Sequence, residues 1–179
     1  MRPLMIAIAA LLAATPALAA DAITVPVSSA AVAVPIAEGD SGFSWTGFYA
    51  GIYGVAQSGP VSGSQFGGGI NVGVNAQFDF FLVGGEVAFQ GLAGGAGATS
   101  YGQVVAKGGI VVSDDLAIYG AAGYGIDTGA PVEDHLLVGG GLELAVTDDV
   151  SLKAQYLHGF PITGANPVEQ VSVGANFHF

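Results

Sequence analysis

The chain closes on a run whose periodicity leaves little choice of structure. Val171, Val173, Ala175, Phe177 and Phe179 alternate with Gln170, Ser172, Gly174, Asn176 and His178 up to the last residue. Side chains two positions apart share one face of a β-strand, whereas a helix scatters them around its circumference. The segment therefore reads as a strand with one apolar and one polar face, and the fold must offer it both environments.

The same alternation recurs from Trp45 onward. Eight segments of about ten or more residues run near Thr46–Gln57, Gly67–Phe78, Phe80–Gly91, Ser100–Val112, Leu116–Asp127, Leu136–Val146, Val150–Gly159 and Val168–Phe179. That length suits a tilted strand crossing a bilayer. Asp79, Ser113-Asp114-Asp115 and Thr147-Asp148-Asp149 mark tight turns. Longer Gly/Pro/Ala-rich connections are expected around 58–64, 93–99, 128–133 and 161–167. Tight turns on one side and longer loops on the other predict an all-β, eight-stranded, antiparallel up-and-down transmembrane barrel.

Charge decides which face points outward. Only 9% of the residues are charged, and the acids collect in turns and loops. A soluble barrel with its apolar face inside would present a strand surface almost free of charge, unlike the surfaces that keep proteins in water. The apolar set (Ile70, Val72, Val74, Val83, Val87, Phe89, Leu136, Val138, Leu142, Leu144) is therefore expected to face lipid. Trp45, Phe48, Phe78, Phe81, Phe177 and Phe179 at the turn side, and Phe89, Tyr156 and Phe160 at the loop side, read as interfacial girdles.

Four charges fall on the inward phase: Glu86, Lys107, Glu143 and Lys153. Glu86 and Lys107 are equidistant from the centre of one connection, Glu143 and Lys153 from Asp148. Hairpin pairing brings each acid near a base at similar depth, offsetting much of the cost of burying charge in a narrow lumen. The inward glycines 51, 69, 73, 109, 123, 139 and 141 leave room for water or for the rings of Tyr49, Tyr53 and Tyr119. Such a network plugs the lumen, or exchanges partners and opens a narrow path.

The start of the chain carries a different kind of information. Met1-Arg2-Pro3 is a basic head, Leu4 to Leu12 an apolar run and Ala17-Leu18-Ala19 a small-x-small cleavage site, so residues 1–19 read as a secretory signal peptide. Residues 20–44, rich in Ala, Val, Pro and Ser without a period, read as a flexible periplasmic linker before a barrel over 45–179. Cysteine is absent, and beyond Arg2 the strong cations are Lys107 and Lys153. With no basic surface to neutralise phosphates, nucleic acid is not an expected partner. Glu133, His135 and His158 near the outer rim are weak metal or haem candidates, but no bound metal or cofactor is expected. No serine or further base has the spacing of a hydrolase, so no catalytic residue is expected and the chain reads as a non-enzyme. The outer loops hold Asp127, Glu133, Asp134 and Glu169 without a lysine or arginine, so anionic glycolipid would be met through divalent cations.

Three resemblances build on these residues. Ser172, Gly174, Phe177 and Phe179 resemble the terminal assembly signal of bacterial outer-membrane barrels, which implies the barrel-assembly machinery and periplasmic chaperones as partners. The interior ion pairs resemble those in the transmembrane domain of outer-membrane protein A. Trp45-Thr46-Gly47-Phe48-Tyr49-Ala50-Gly51, the Ala/Val/Pro-rich run before it, Asp149 to Tyr156 and the Phe179 ending together resemble the porin-like surface-antigen barrels of alphaproteobacteria. That resemblance implies an outer-membrane protein, in contact with membrane lipid and glycolipid, that contributes to envelope integrity; a narrow channel for small solutes is the alternative. Some members are joined to peptidoglycan through a mature Ala-Asp start, which here would be Ala20-Asp21.

Overall fold

The computed structural model describes residues 42–60, 63–95, 97–129 and 132–179. The expected signal peptide, Ala20, Asp21 and nearly all of the linker lie outside them. Eight strands follow in order: β1 (Gly47–Gly59), β2 (Gly63–Phe78), β3 (Phe81–Gly94), β4 (Thr99–Ser113), β5 (Leu116–Asp127), β6 (Glu133–Ala145), β7 (Val150–Pro161) and β8 (Val168–His178). Each pairs antiparallel with the next, and β1 pairs with β8 to close the barrel. Closure removes the unpaired edges that an open sheet would expose to lipid.

The tight turns behave as their residues require. Asp79 adopts a left-handed φ of 57° between β2 and β3, a conformation that Asp tolerates better than most residues. A register shift between Val111 and Ser113 precedes the turn at Asp114 and Asp115. At the other end the strands run further than their alternation suggested. Ladder pairing continues from Ser58↔Ser64 to Gly59↔Gly63 and on β2–β3 to Gln65↔Gly94, so connections expected over 58–64 and 93–99 shrink to 60–62 and 95–98. Glycine and serine pair through their backbones without leaving an apolar rhythm to read. Likewise β6 starts at Glu133, three residues before Leu136.

The two faces separate as the charge argument demands. Every member of the apolar set expected to face lipid is exposed on the barrel wall. Phe48, Phe78, Phe81, Phe177 and Phe179 are exposed toward the turn end, and Phe89, Tyr156 and Phe160 toward the loop end. Trp45 departs from this pattern: it is 1% exposed and lies inside the barrel. It precedes the first strand, so the strand period that places the other aromatics does not apply to it. Phe43, expected at the end of a flexible linker, packs beside it in a cluster with Leu82 and Ala117.

Candidate functional site

The lumen is built in layers, and the charged one is central. Glu86 on β3, Lys107 on β4, Glu143 on β6 and Lys153 on β7 all point inward and are at most 4% exposed. Alternation delivers them there, because each shares the inward phase of its strand with buried neighbours such as Ala88, Val105 and Gln155.

Their pairing differs from hairpin symmetry. Glu143 and Lys153 are register partners on β6 and β7. Yet the Lys153 ammonium crosses the lumen to Glu86, donating to both of its carboxylate oxygens at 2.7 Å. Glu86 also accepts from Tyr49 at 2.8 Å and from Asn71 at 3.3 Å. Lys107 lies opposite Gly84 rather than Glu86 in the ladder, and its Nζ sits 3.6 Å from Glu86 and 3.9 Å from Glu143. It rests over the faces of Tyr49 and Tyr119 at 4.5 and 5.1 Å. Glu143 is held instead by Ser151 at 2.5 Å and Asn176 at 2.7 Å, with His178 Nε2 at 3.4 Å. The reason is the lumen's narrowness: a long lysine side chain reaches the far wall as readily as its neighbour. Ser151, Asn176, His178, Asn71 and Tyr49 were legible only as inward-phase residues, since chain spacing says nothing about contacts across a barrel.

Apolar layers lie on both sides. Below, Phe43 and Trp45 meet edge to face at 4.7 Å, and Phe43 meets His178 at 4.8 Å. Above, Leu92, Tyr101, Leu137 and Leu157 belong to a second buried cluster. At the level of that upper cluster Tyr53, Gln90, Gln57 and Gln170 form a hydrogen-bonded chain. Inward glycines make space for the rings: a Cβ on Gly73 would overlap the Tyr49 ring, and one on Gly69 would come within 2.5 Å of Tyr53.

Glu133, His135 and His158 are not brought together as a metal site. His135 is fully buried in the lumen, with Nε2 3.0 Å from the Asn166 carbonyl. His158 lies on the outward face, where Nδ1 is 2.6 Å from Glu169 and Tyr156 also donates to that carboxylate. Among the described residues no group of three or more His, Cys, Asp or Glu side chains is arranged to hold a metal ion. Ser151, His178 and Glu143 do meet, but His178 approaches both partners through the same Nε2 and Ser151 is wholly buried. A serine–histidine–acid relay uses opposite ring nitrogens and an accessible hydroxyl.

Phe177 and Phe179 point outward and Ser172 is buried on the inner face. At Gly174 a Cβ would lie 2.5 Å from Tyr53 Cβ, so the close approach of β8 to β1 needs glycine there. The Phe179 amide donates to the Phe48 carbonyl at 3.0 Å, tying the chain end to β1.

No protein-family model matches the chain, and no curated protein gives a significant match. Among solved structures, Ail, the attachment invasion locus protein of Yersinia pestis, is similar at 16% identity and a TM-score of 0.58, over 75% of this chain and 99% of that one. Ail in complex with the heparin analogue sucrose octasulfate gives 0.56. Neisserial surface protein A (NspA) gives 0.53 at 17% identity, over 75% of this chain and 98% of that one. At such identities the likeness is one of fold, and the fold is that of small bacterial outer-membrane β-barrels.

Proposed function

We propose that the chain is a structural, non-enzymatic integral outer-membrane barrel that contributes to envelope integrity, with its lumen plugged. The observation that carries this reading is the lumen itself. Two glutamates and two lysines of zero net charge are buried side by side, between the Phe43–Trp45 layer and the Leu137–Leu157 layer. Small eight-stranded barrels are ordinarily filled by their own side chains. A narrow channel is the second reading, favoured by Lys107 Nζ and Glu143 Oε2, which are buried without a hydrogen-bond partner and suit hydration.

The fold and the stretches Trp45 to Gly51 and Asp149 to Tyr156 support membership of the alphaproteobacterial porin-like surface-antigen group. Covalent attachment to peptidoglycan through Ala20 and Asp21 is part of the proposal. Its support is the mature start and a linker over 20–44 able to extend roughly 80 Å. Gly42, the first described residue, lies against Asp114 at the turn end, the end that the family resemblance puts in the periplasm. The barrel-assembly machinery and its chaperones are the expected readers of the β8 ending. Both described lysines are in the lumen, so this barrel offers no basic wall for a sulfated glycan of the kind bound to Ail; glycolipid contact would run through the loop acids and divalent cations.

Planar-bilayer recording of the refolded protein tests the plug. Silence is the expected result; steady conductance that disappears on Glu86→Gln or Lys107→Met would establish the channel instead. Mass spectrometry of muramidase-released sacculi tests the tether: a muropeptide amide-linked to Ala20 supports it, and an Ala20 peptide found only with a free amine refutes it.

A further inference from the structure

The five residues before β1 take an unexpected course. Gly47, where β1 begins, has φ +145°, a conformation that L side chains rarely adopt, and a Cβ there would stand 3.0 Å from the Phe179 carbonyl oxygen. Glycine thus lets the chain turn sharply off the strand. From that point residues 42–46 cross the mouth of the barrel. Trp45 Nε1 donates to the Asp114 carbonyl at 3.3 Å, and a Cβ on Gly42 would meet the Asp114 Cβ at 3.0 Å. Asp114 sits in the β4–β5 turn, and β5 lies opposite β1 in the closed ring of eight. The segment therefore spans the mouth from one wall to the other.

Along the way it touches most of the circumference. Phe43 and Trp45 pack on Leu82 of β3 and Ala117 of β5, with Val111 of β4 and Ala145 of β6 at the margin, and Phe43 meets His178 of β8. Directly inward of His178 are Ser151 and Glu143, the lower face of the ion network. None of residues 42–46 belongs to a ladder, so the barrel's own pairing does not depend on them. A cleft of about 190 Å³ lined by Phe43, Asp115, Thr147 and Asp148 opens beside the segment.

We propose that residues 42–46 are a removable strap: Phe43 and Trp45 seal the turn-end mouth, and the strap can leave it without unfolding the barrel, exposing His178 and the Glu143 side of the ion network to water. The proposal rests on the membrane-barrel reading but not on the peptidoglycan tether. If the tether also holds, tension along the N-terminal segment acts on this seal first, because the strap is held by side-chain packing and by the hydrogen bonds of Trp45 Nε1 to the Asp114 carbonyl and of the Gln77 amide to Thr46 Oγ1, whereas the strands are held by whole ladders of hydrogen bonds.

The test uses the full mature chain refolded into lipid vesicles, with Ala117→Cys as a thiol probe, since Ala117 is fully buried against the strap and the chain has no native cysteine. A charged, water-soluble thiol reagent is added to the protein with its native strap, to Phe43→Ala/Trp45→Ala and to the lipid-facing control Phe48→Ala. The strap variant is expected to keep the SDS-resistant folded form and to label at least tenfold faster, with the control unchanged. Equal rates in all three would overturn the proposal, as would loss of the folded barrel in the strap variant alone, which would make these rings permanent core. Failure of the unsubstituted chain to insert would instead count against the barrel reading. Trp45 is the sole tryptophan, so its fluorescence gives a second readout without the probe. Acrylamide quenching should be weak in the native chain and strong in Phe43→Ala, and strong quenching in the native chain refutes the seal.

Discussion

Replacing Lys153 by Met removes one charge and keeps most of the side chain's bulk, so it isolates the ion network from packing. In the native barrel Lys153 donates to both oxygens of Glu86 at 2.7 Å, and both side chains are at most 2% exposed. Breaking a buried pair from one side costs about 3–5 kcal/mol, because the partner's charge stays buried. Here Glu86 keeps Tyr49 at 2.8 Å, Asn71 at 3.3 Å and Lys107 at 3.6 Å, which argues for the lower limit, about 3 kcal/mol. With a urea dependence of about 2 kcal/mol per molar, the unfolding midpoint in lipid vesicles should fall by about 1.5 M. Adding Glu86→Gln to Lys153→Met should recover part of that loss, giving a coupling of about 2 kcal/mol in a double-mutant cycle. The same cycle between Lys153 and Glu143 should give less than about 1 kcal/mol, although these two are ladder partners, because Ser151 and Asn176 occupy the Glu143 carboxylate. A midpoint shift below about 0.5 M, or stronger coupling to Glu143 than to Glu86, would falsify the cross-lumen pairing.

Three further outcomes are expected. Gly73→Ala drives a methyl into the Tyr49 ring and should destabilise by about 1–3 kcal/mol, whereas Gly91→Ala meets nothing within 4 Å and should be nearly neutral; the same urea titration compares them. Val87→Arg on the lipid-facing wall should cost about 2–4 kcal/mol, against about 0–1 for Val146→Arg beside the β6–β7 turn, and equal costs would contradict the membrane placement. Deleting Phe179 should leave stability in vitro within about 1 kcal/mol, because the residue is 71% exposed and its main tie is one backbone hydrogen bond. In cells the same deletion should sharply reduce the amount of folded barrel in the outer-membrane fraction if the β8 ending is an assembly signal; unchanged levels argue against that role.

Alternation by itself determined most of this molecule. A strand has a period of two whatever it pairs with, so the number of strands, the face each side chain takes and the burial of Glu86, Lys107, Glu143 and Lys153 follow from local geometry. The scarcity of strand charge then settled which face meets lipid. Strand ends were less legible at Gly59, Gly63 and Gly94, where backbone pairing continues with no apolar side chain to record it. Only the closed barrel decided the contacts across its interior. Lys153 prefers Glu86 to its ladder neighbour, and His178, Ser151 and Asn176 gather on Glu143, because curvature and stagger bring distant walls within one side chain's reach. Only the tertiary structure placed Phe43 and Trp45 across the mouth, since a segment without a regular period carries no local signal of the wall it will touch.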